Sequence, residues 1–233
     1  MKTLYHHPVL GEITVNRSSR ARRISVSVRP SGVTLTLPPR YPLAEALSFA
    51  ESKRDWIEQA RQRAQKRVQE KRVIRPPFHT RLHELKTGSG NQPGFSVRNG
   101  IIRVILPPGW PSESTQAQEL FRKAITEAFR LEAKQLLPQR VADLAGRYGF
   151  RYTGLIFRNA VSRWGSCSAR DSISLSIHLM QLPDVLIDYV ILHELCHTKQ
   201  KNHGPKFHAL MELVTGGKHR LLDKQLKTYT PRW

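Results

Sequence analysis

Two cysteines in 233 residues are too few for a disulfide framework, so the chain must be held together by an apolar core. Both Cys167 and Cys196 are read as small buried hydrophobes rather than as metal thiolates. Long apolar runs are also missing. No stretch approaches the roughly 20 residues that a membrane-spanning helix needs, and Met1 to Val15 holds no apolar segment of the length a signal peptide requires. The expected location is therefore the cytoplasm, without membrane attachment. Acidic residues are the third shortage. Eighteen Asp and Glu face 38 Lys and Arg, for a net charge of +20, which argues against basic partners and for polyanionic ones. What remains is a globular composition, 39% hydrophobic and 24% charged, at a length that can form one domain or two small ones.

The positive charge is unevenly spread. Residues 1–110 hold 20 Lys and Arg against 7 Asp and Glu, a surplus of +13, and the remainder holds 18 against 11, a surplus of +7. Clusters such as Arg20-Ala21-Arg22-Arg23, Lys53-Arg54, Arg61-Gln62-Arg63, Lys66-Arg67 and Lys71-Arg72 make the N-terminal half a candidate nucleic-acid surface. A soluble basic face with no such role fits the same residues.

A weak internal repeat organises the first half. Val26 to Pro39 and Phe95 to Pro108 each read as strand, glycine turn, strand and a terminating Pro-Pro, the pattern of a β-hairpin. A helical segment follows each, from Leu43 to Arg72 and from Ser112 to Leu137. In the first helix Ala46, Phe49, Ala50, Trp56, Ile57 and Ala60 are expected on the packed face. In the second, Leu120, Phe121, Ala124, Ile125, Ala128 and Phe129 share a face, and Pro138 is expected to kink or interrupt the helix before Val141 to Tyr148. Val73 to Gly94, with Arg75-Pro76-Pro77 and Gly88-Ser89-Gly90, reads as a linker and a flexible loop. The expected division is 1–77, a basic hairpin and helix unit, and 78–233.

The chemistry is concentrated in His193-Glu194-Leu195-Cys196-His197, an HExxH pattern, with His203 six residues on. Positions four apart on a helix lie about one turn, roughly 6 Å, apart on one face, so His193 and His197 can grip one cation. Leu182 to Leu192 supplies the helix: proline at its start, Asp184 in the first turn, then an apolar run. Lys199 to Pro205 lets the chain turn back and bring in His203. Three imidazoles suit Zn²⁺ and leave a fourth position for water, and Glu194, turned toward the open side, can take that water's proton. His178, on a strand-like segment, and His208 are read as supporting or surface residues rather than ligands.

Arg163-Trp164-Gly165-Ser166-Cys167-Ser168, Ile173-Ser174-Leu175, Asp188-Tyr189-Val190-Ile191, the His193 to His197 motif, Asn202-His203 and Phe207 together resemble the YgjP-like metallopeptidases, relatives of the SprT-like proteases. The resemblance implies an α+β architecture with a zincin-like core and an HExxH active-site helix, here preceded by the two hairpin-plus-helix units. It also implies zinc held by His193, His197 and His203, with Glu194 as catalytic base. The histidine spacing matches metzincins as well, but Gln200 stands where that pattern has glycine, and Met211 lies on a helix-like run. In a zincin the substrate can add as a strand beside the metal helix. Ile173 to Ile177 is the candidate edge, so Ile173, Ser174 and Leu175, with Arg163, are the expected substrate contacts. Trp164 is read as a packing residue.

Three functions compete at this point: a zinc metallopeptidase acting on peptide or protein substrates, a zinc-dependent hydrolase of nucleotides or phosphoesters, and a nucleic-acid-binding protein with structural zinc. Glu194 weighs against the third, because a purely structural site has no use for a carboxylate beside its ligands. The oligomeric state is left open.

Overall fold

The computed structural model describes residues 2–29, 31–69 and 73–231, without the side chains of residues 2 and 64–69. The side chains of Lys66-Arg67, and Lys71-Arg72 altogether, lie outside what is described. Two compact units divide the chain, Met1–Arg72 and Val73–Trp233.

The first unit runs β1 (Lys2–His7), β2 (Gly11–Arg17), β3 (Ser25–Arg29), β4 (Gly32–Leu37), α1 (Leu43–Glu51) and α2 (Arg54–Gln69), with sheet order β1-β2-β4-β3. Alternation along β2 and β4 sends Ile13, Val15, Val33, Leu35 and Leu37 to one face, where Ala46, Leu47, Ala50 and Ile57 cover them. The expected single helix is broken at Ser52 and Lys53, with the Ser52 hydroxyl donating to Phe49 O. The break shifts the helical phase, so Trp56, expected on the packed face, is 45% exposed.

In the second unit β5 (Phe78–His79), β6 (Glu84–Ser89), β7 (Gly94–Arg98) and β8 (Ile101–Leu106) form a sheet of order β5-β6-β8-β7. Both four-stranded sheets combine an antiparallel pair, a parallel pair and an antiparallel hairpin in the same sequence. The repeat is thus real but larger than the hairpin visible in the sequence. Asn99 and Gly100, both at positive φ, make the tight turn of the second hairpin. The expected linker and loop over 73–94 is instead structured: Ile74 and Leu85 are core residues, and Gly88-Ser89 completes β6. The glycine at 90 answers a packing demand, since a Cβ there would lie 2.6 Å from Ile105 Cγ2. The division accordingly falls before Val73 rather than at 77/78.

α3 (Thr115–Tyr148) is continuous through Pro138, so the proline does not interrupt it. Ser114 caps it by accepting from Ala117 N, and Gly149 ends it in the left-handed region at φ 63°. Buried Gln118 ties the entering chain to it, accepting from Ile74 N and donating to Ile74 O and Ser112 O. Then come β9 (Gly154–Arg158), β10 (Gly165–Cys167), β11 (Ser172–Ser176), a 3₁₀ turn (Ile177–Gln181), α4 (Asp184–Lys199), α5 (Pro205–Val214) and α6 (His219–Leu226). The sheet order is β10-β11-β9, with β11 antiparallel to β10 and parallel to β9. Among the described residues no helix is long and apolar enough to cross a membrane.

Candidate metal centre

α4 is apolar nearly all round. Leu186, Ile187, Val190, Ile191, Leu195 and Cys196 are all buried, and such a helix is stable only inside the core. Its start is clamped from two sides. Arg140 donates to Asp188 Oδ1 (2.5 Å), Asp184 Oδ1 (2.7 Å) and Asp184 O (2.8 Å), while Arg81 donates to Asp184 Oδ1 (2.9 Å), Met180 O (3.2 Å) and Leu182 O. The Arg140 guanidinium hydrogen-bonded to Asp184, with Arg81 beside it, holds that carboxyl below the usual range. Arg81 is itself positioned by Glu132 on α3. This fully buried carboxylate accepts from Thr80 Oγ1, Arg81 N (3.4 Å) and Leu82 N (2.9 Å), and meets His83 Nδ1 at 2.8 Å.

The last turns of α4 carry the histidines. His193 Nε2 lies 3.2 Å from His197 Nε2 and 3.1 Å from His203 Nε2. His203 reaches in from the segment between α4 and α5, where Pro205 at the start of α5 fixes the return of the chain. His197 Nδ1 donates to Gln200 O at 3.0 Å, which leaves Nε2 as the nitrogen with the free lone pair. Burial and the neighbouring imidazoles push His193 down to about 3, and burial lowers His197 as well, so both rings are neutral near pH 7. Three imidazoles turning nitrogens on one point suit a shared cation. Zinc–nitrogen bonds of about 2.0–2.1 Å in a tetrahedron would set the nitrogens about 3.3 Å apart, close to what is seen. Phe207 floors the cluster, its ring centroid 5.0, 4.6 and 4.7 Å from those of His193, His197 and His203.

Glu194 departs from expectation. It is only 5% exposed rather than turned to the open side, and its Oε2 has no hydrogen-bond partner among the described residues. Burial raises its pKa to about 8, and the charge of Arg163 partly opposes that rise. The carboxylate lies flush against β10, where a Cβ on Gly165 would fall 2.6 Å from Glu194 Oε1 and 2.7 Å from its Cγ. Glycine is therefore required at 165 for Glu194 to sit there. The sequence offered Gly165 only as part of a motif, without this reason.

The strand assignment is corrected. β11, which holds Ile173, Ser174 and Leu175, is the central strand of its sheet, and Ile173 and Leu175 are fully buried, so none of the three offers a free edge. The edge next to α4 is β10. Ser176 N donates to Trp164 O and Ser168 N to Ser172 O, so Trp164, Ser166 and Ser168 turn their backbone groups to β11, and Gly165 and Cys167 turn theirs outward. Ser174 and Arg163 instead line a cavity beside this strand. Trp164 packs against the core, as expected.

The remaining candidates separate by position. His178 is buried in the 3₁₀ turn, its ring nitrogens engaged with Asn159 Oδ1 (2.7 Å) and Gln181 Nε2 (3.0 Å), and burial lowers its pKa to about 4. His208 stands outside the triad and pairs with His219, whose Nδ1 meets the Tyr189 hydroxyl at 3.1 Å. His219, missed in the sequence, buttresses the Tyr189 ring beside His193. Cys196 is buried and pushed up to about 12, whereas Cys167 is only half-buried and near Lys201.

A model of the YgjP-like metallopeptidase domain matches residues 22–229. The chain belongs to the YgjP-like metallopeptidase family. Among solved structures, the metallopeptidase zymogen of Pyrococcus abyssi abylysin is similar at 19% identity and a TM-score of 0.35, over 38% of this YgjP-like chain and 89% of that one. The zymogen of Methanocaldococcus jannaschii jannalysin is similar at 23% identity and a TM-score of 0.30, over 36% and 90%. No curated protein matches the YgjP-like chain.

Proposed function

We propose that this YgjP-like protein is a zinc metallopeptidase with a zincin-like core. Zinc is held by His193, His197 and His203, and Glu194 is the general base. The observation that carries this reading is the convergence of three Nε2 atoms next to a buried carboxylate whose Oε2 is unpartnered. Zinc, when bound, would acidify water and polarise the scissile carbonyl. Glu194 receives the proton of the attacking water and delivers it to the leaving amine, a transfer for which its place beside the three imidazoles and its unpartnered Oε2 suit it. The outward backbone groups of Gly165 and Cys167 take the substrate as an added strand, which places a peptide next to Glu194 without reading its sequence.

Membership of a metallopeptidase family favours peptide bonds over phosphoesters as substrate. The basic clusters of the first unit support recruitment to nucleic acid. Metal analysis with parallel incubation of the zinc-loaded protein against a peptide library and a nucleotide panel tests the reading. Bound zinc with peptide cleavage is expected, and nucleotide hydrolysis without peptide cleavage would overturn it.

A further inference from the structure

The small sheet has a second face. Ile173 and Leu175 of β11 enter the core, so Ser172, Ser174 and Ser176 turn the other way, with Ile156 and Arg158 of β9 in register beside Ser174 and Ser176. A cavity of about 680 Å³ opens there, walled also by Ser162 and Arg163 and by β10 itself. Its charged lining residues are Arg158 and Arg163, and no carboxylate lines it. Both guanidiniums are exposed and neither is in an ion pair among the described residues. The hydroxyls of Ser162, Ser166 and Ser174 make no hydrogen bond to the protein among those residues, so guanidinium and hydroxyl donors alike are left for a ligand.

We infer that this cavity selects substrates carrying carboxylate side chains, which makes Arg158, with Arg163, a specificity determinant. The inference rests on the peptidase reading and on β10 as the docking edge. In a peptide paired with β10, successive side chains alternate between the two faces. Those on the side of Gly165 face α4 and the histidines. Those on the side of Ser166 enter the serine-lined cavity, where an Asp or Glu side chain meets two unpaired cations and a Lys meets repulsion. The overall charge of +20 draws the same class of substrate.

The test uses full-length zinc-loaded protein and short fluorescent peptides that differ by Glu, Ala or Lys at single positions. Cleavage by the wild type and binding by Glu194→Gln, read as anisotropy, are measured in parallel. Glu should exceed Ala by roughly tenfold in both kcat/KM and affinity at alternate positions, about the value of one charge-assisted hydrogen bond. Lys should fall below Ala. Arg158→Gln should bring the Glu-to-Ala ratio toward one, and Arg158→Glu should invert the Glu-to-Lys order. Cleavage with no acidic preference, or a preference unmoved by either Arg158 variant, overturns the inference and leaves the peptidase reading standing. Ordered binding without cleavage does the reverse. A single-stranded oligonucleotide that binds more tightly than any peptide and loses that binding in Arg158→Gln would assign the face to nucleic acid instead.

Discussion

Glu194 is the residue on which the proposed chemistry turns. Glu194→Gln preserves shape and leaves the three imidazoles in place, so zinc content should hold while kcat falls by about 10²–10⁴-fold, the usual loss for a positioned general base. Assay of turnover with metal analysis on the same sample decides it, and wild-type turnover would remove Glu194 from the mechanism. Gly165→Ala should reproduce part of that loss without touching the carboxylate, because the new Cβ occupies the space of Glu194 Oε1 and Cγ. A fall in kcat of at least about tenfold with full zinc content is expected. His178 sets a pH dependence of stability. Its folded pKa of about 4 lies below the ordinary value near 6.5, so between these values the unfolded chain binds the extra proton. Stability should fall as the pH drops through that window and level off below it. The loss is about 2 kcal/mol, less than the full shift would give because Gln181 can turn its carbonyl oxygen toward a protonated ring. Urea unfolding from pH 7 to pH 4 measures it, and His178→Gln should flatten the slope.

At the scale of elements, the metal helix is held in position by charges that are distant in sequence. Glu132 on α3 orders the turn 80–83, and Arg81 in that turn joins Arg140 in gripping the first turn of α4. Glu132→Ala would leave the Leu82 amide and His83 Nδ1 without their buried partner. It should destabilise the protein by about 3 kcal/mol, read by chemical denaturation. The exposed half of the relay is worth less: Arg140→Ala should cost about 1 kcal/mol and lose part of that effect at high salt.

Across the whole molecule the surplus of charge has a measurable consequence. The first unit carries 15 Lys and Arg against 6 Asp and Glu. If this surface neutralises phosphates, affinity for nucleic acid should fall steeply with salt. Replacing Arg20, Arg22 and Arg23 with Gln in the full chain should lower the log–log salt slope by roughly two to three. An unchanged slope measured by anisotropy would place the contacts elsewhere.

The convergence of the three histidines was legible in the sequence, because a helix of period 3.6 converts the spacing of His193 and His197 into shared direction, and Pro205 limits where His203 can go. The hairpins of both sheets were legible for the same kind of local reason, as turn residues at fixed offsets declare themselves. Strand order was not. Ile173-Ser174-Leu175 reads identically whether it lies at an edge or at the centre, since pairing partners are set by contacts remote in sequence. Its central place in the sheet, with β10 as the edge, emerged only on folding. Gly88-Ser89 has a loop's composition yet completes a strand, and Gly90 just beyond it leaves the space that Ile105 needs. The burial of Glu194 against Gly165 is likewise a long-range event, 29 residues apart, and so is the pairing of Glu132 with His83. Local spacing encodes which atoms can bind a metal, whereas the environment that tunes them is built from whatever the rest of the chain packs around them.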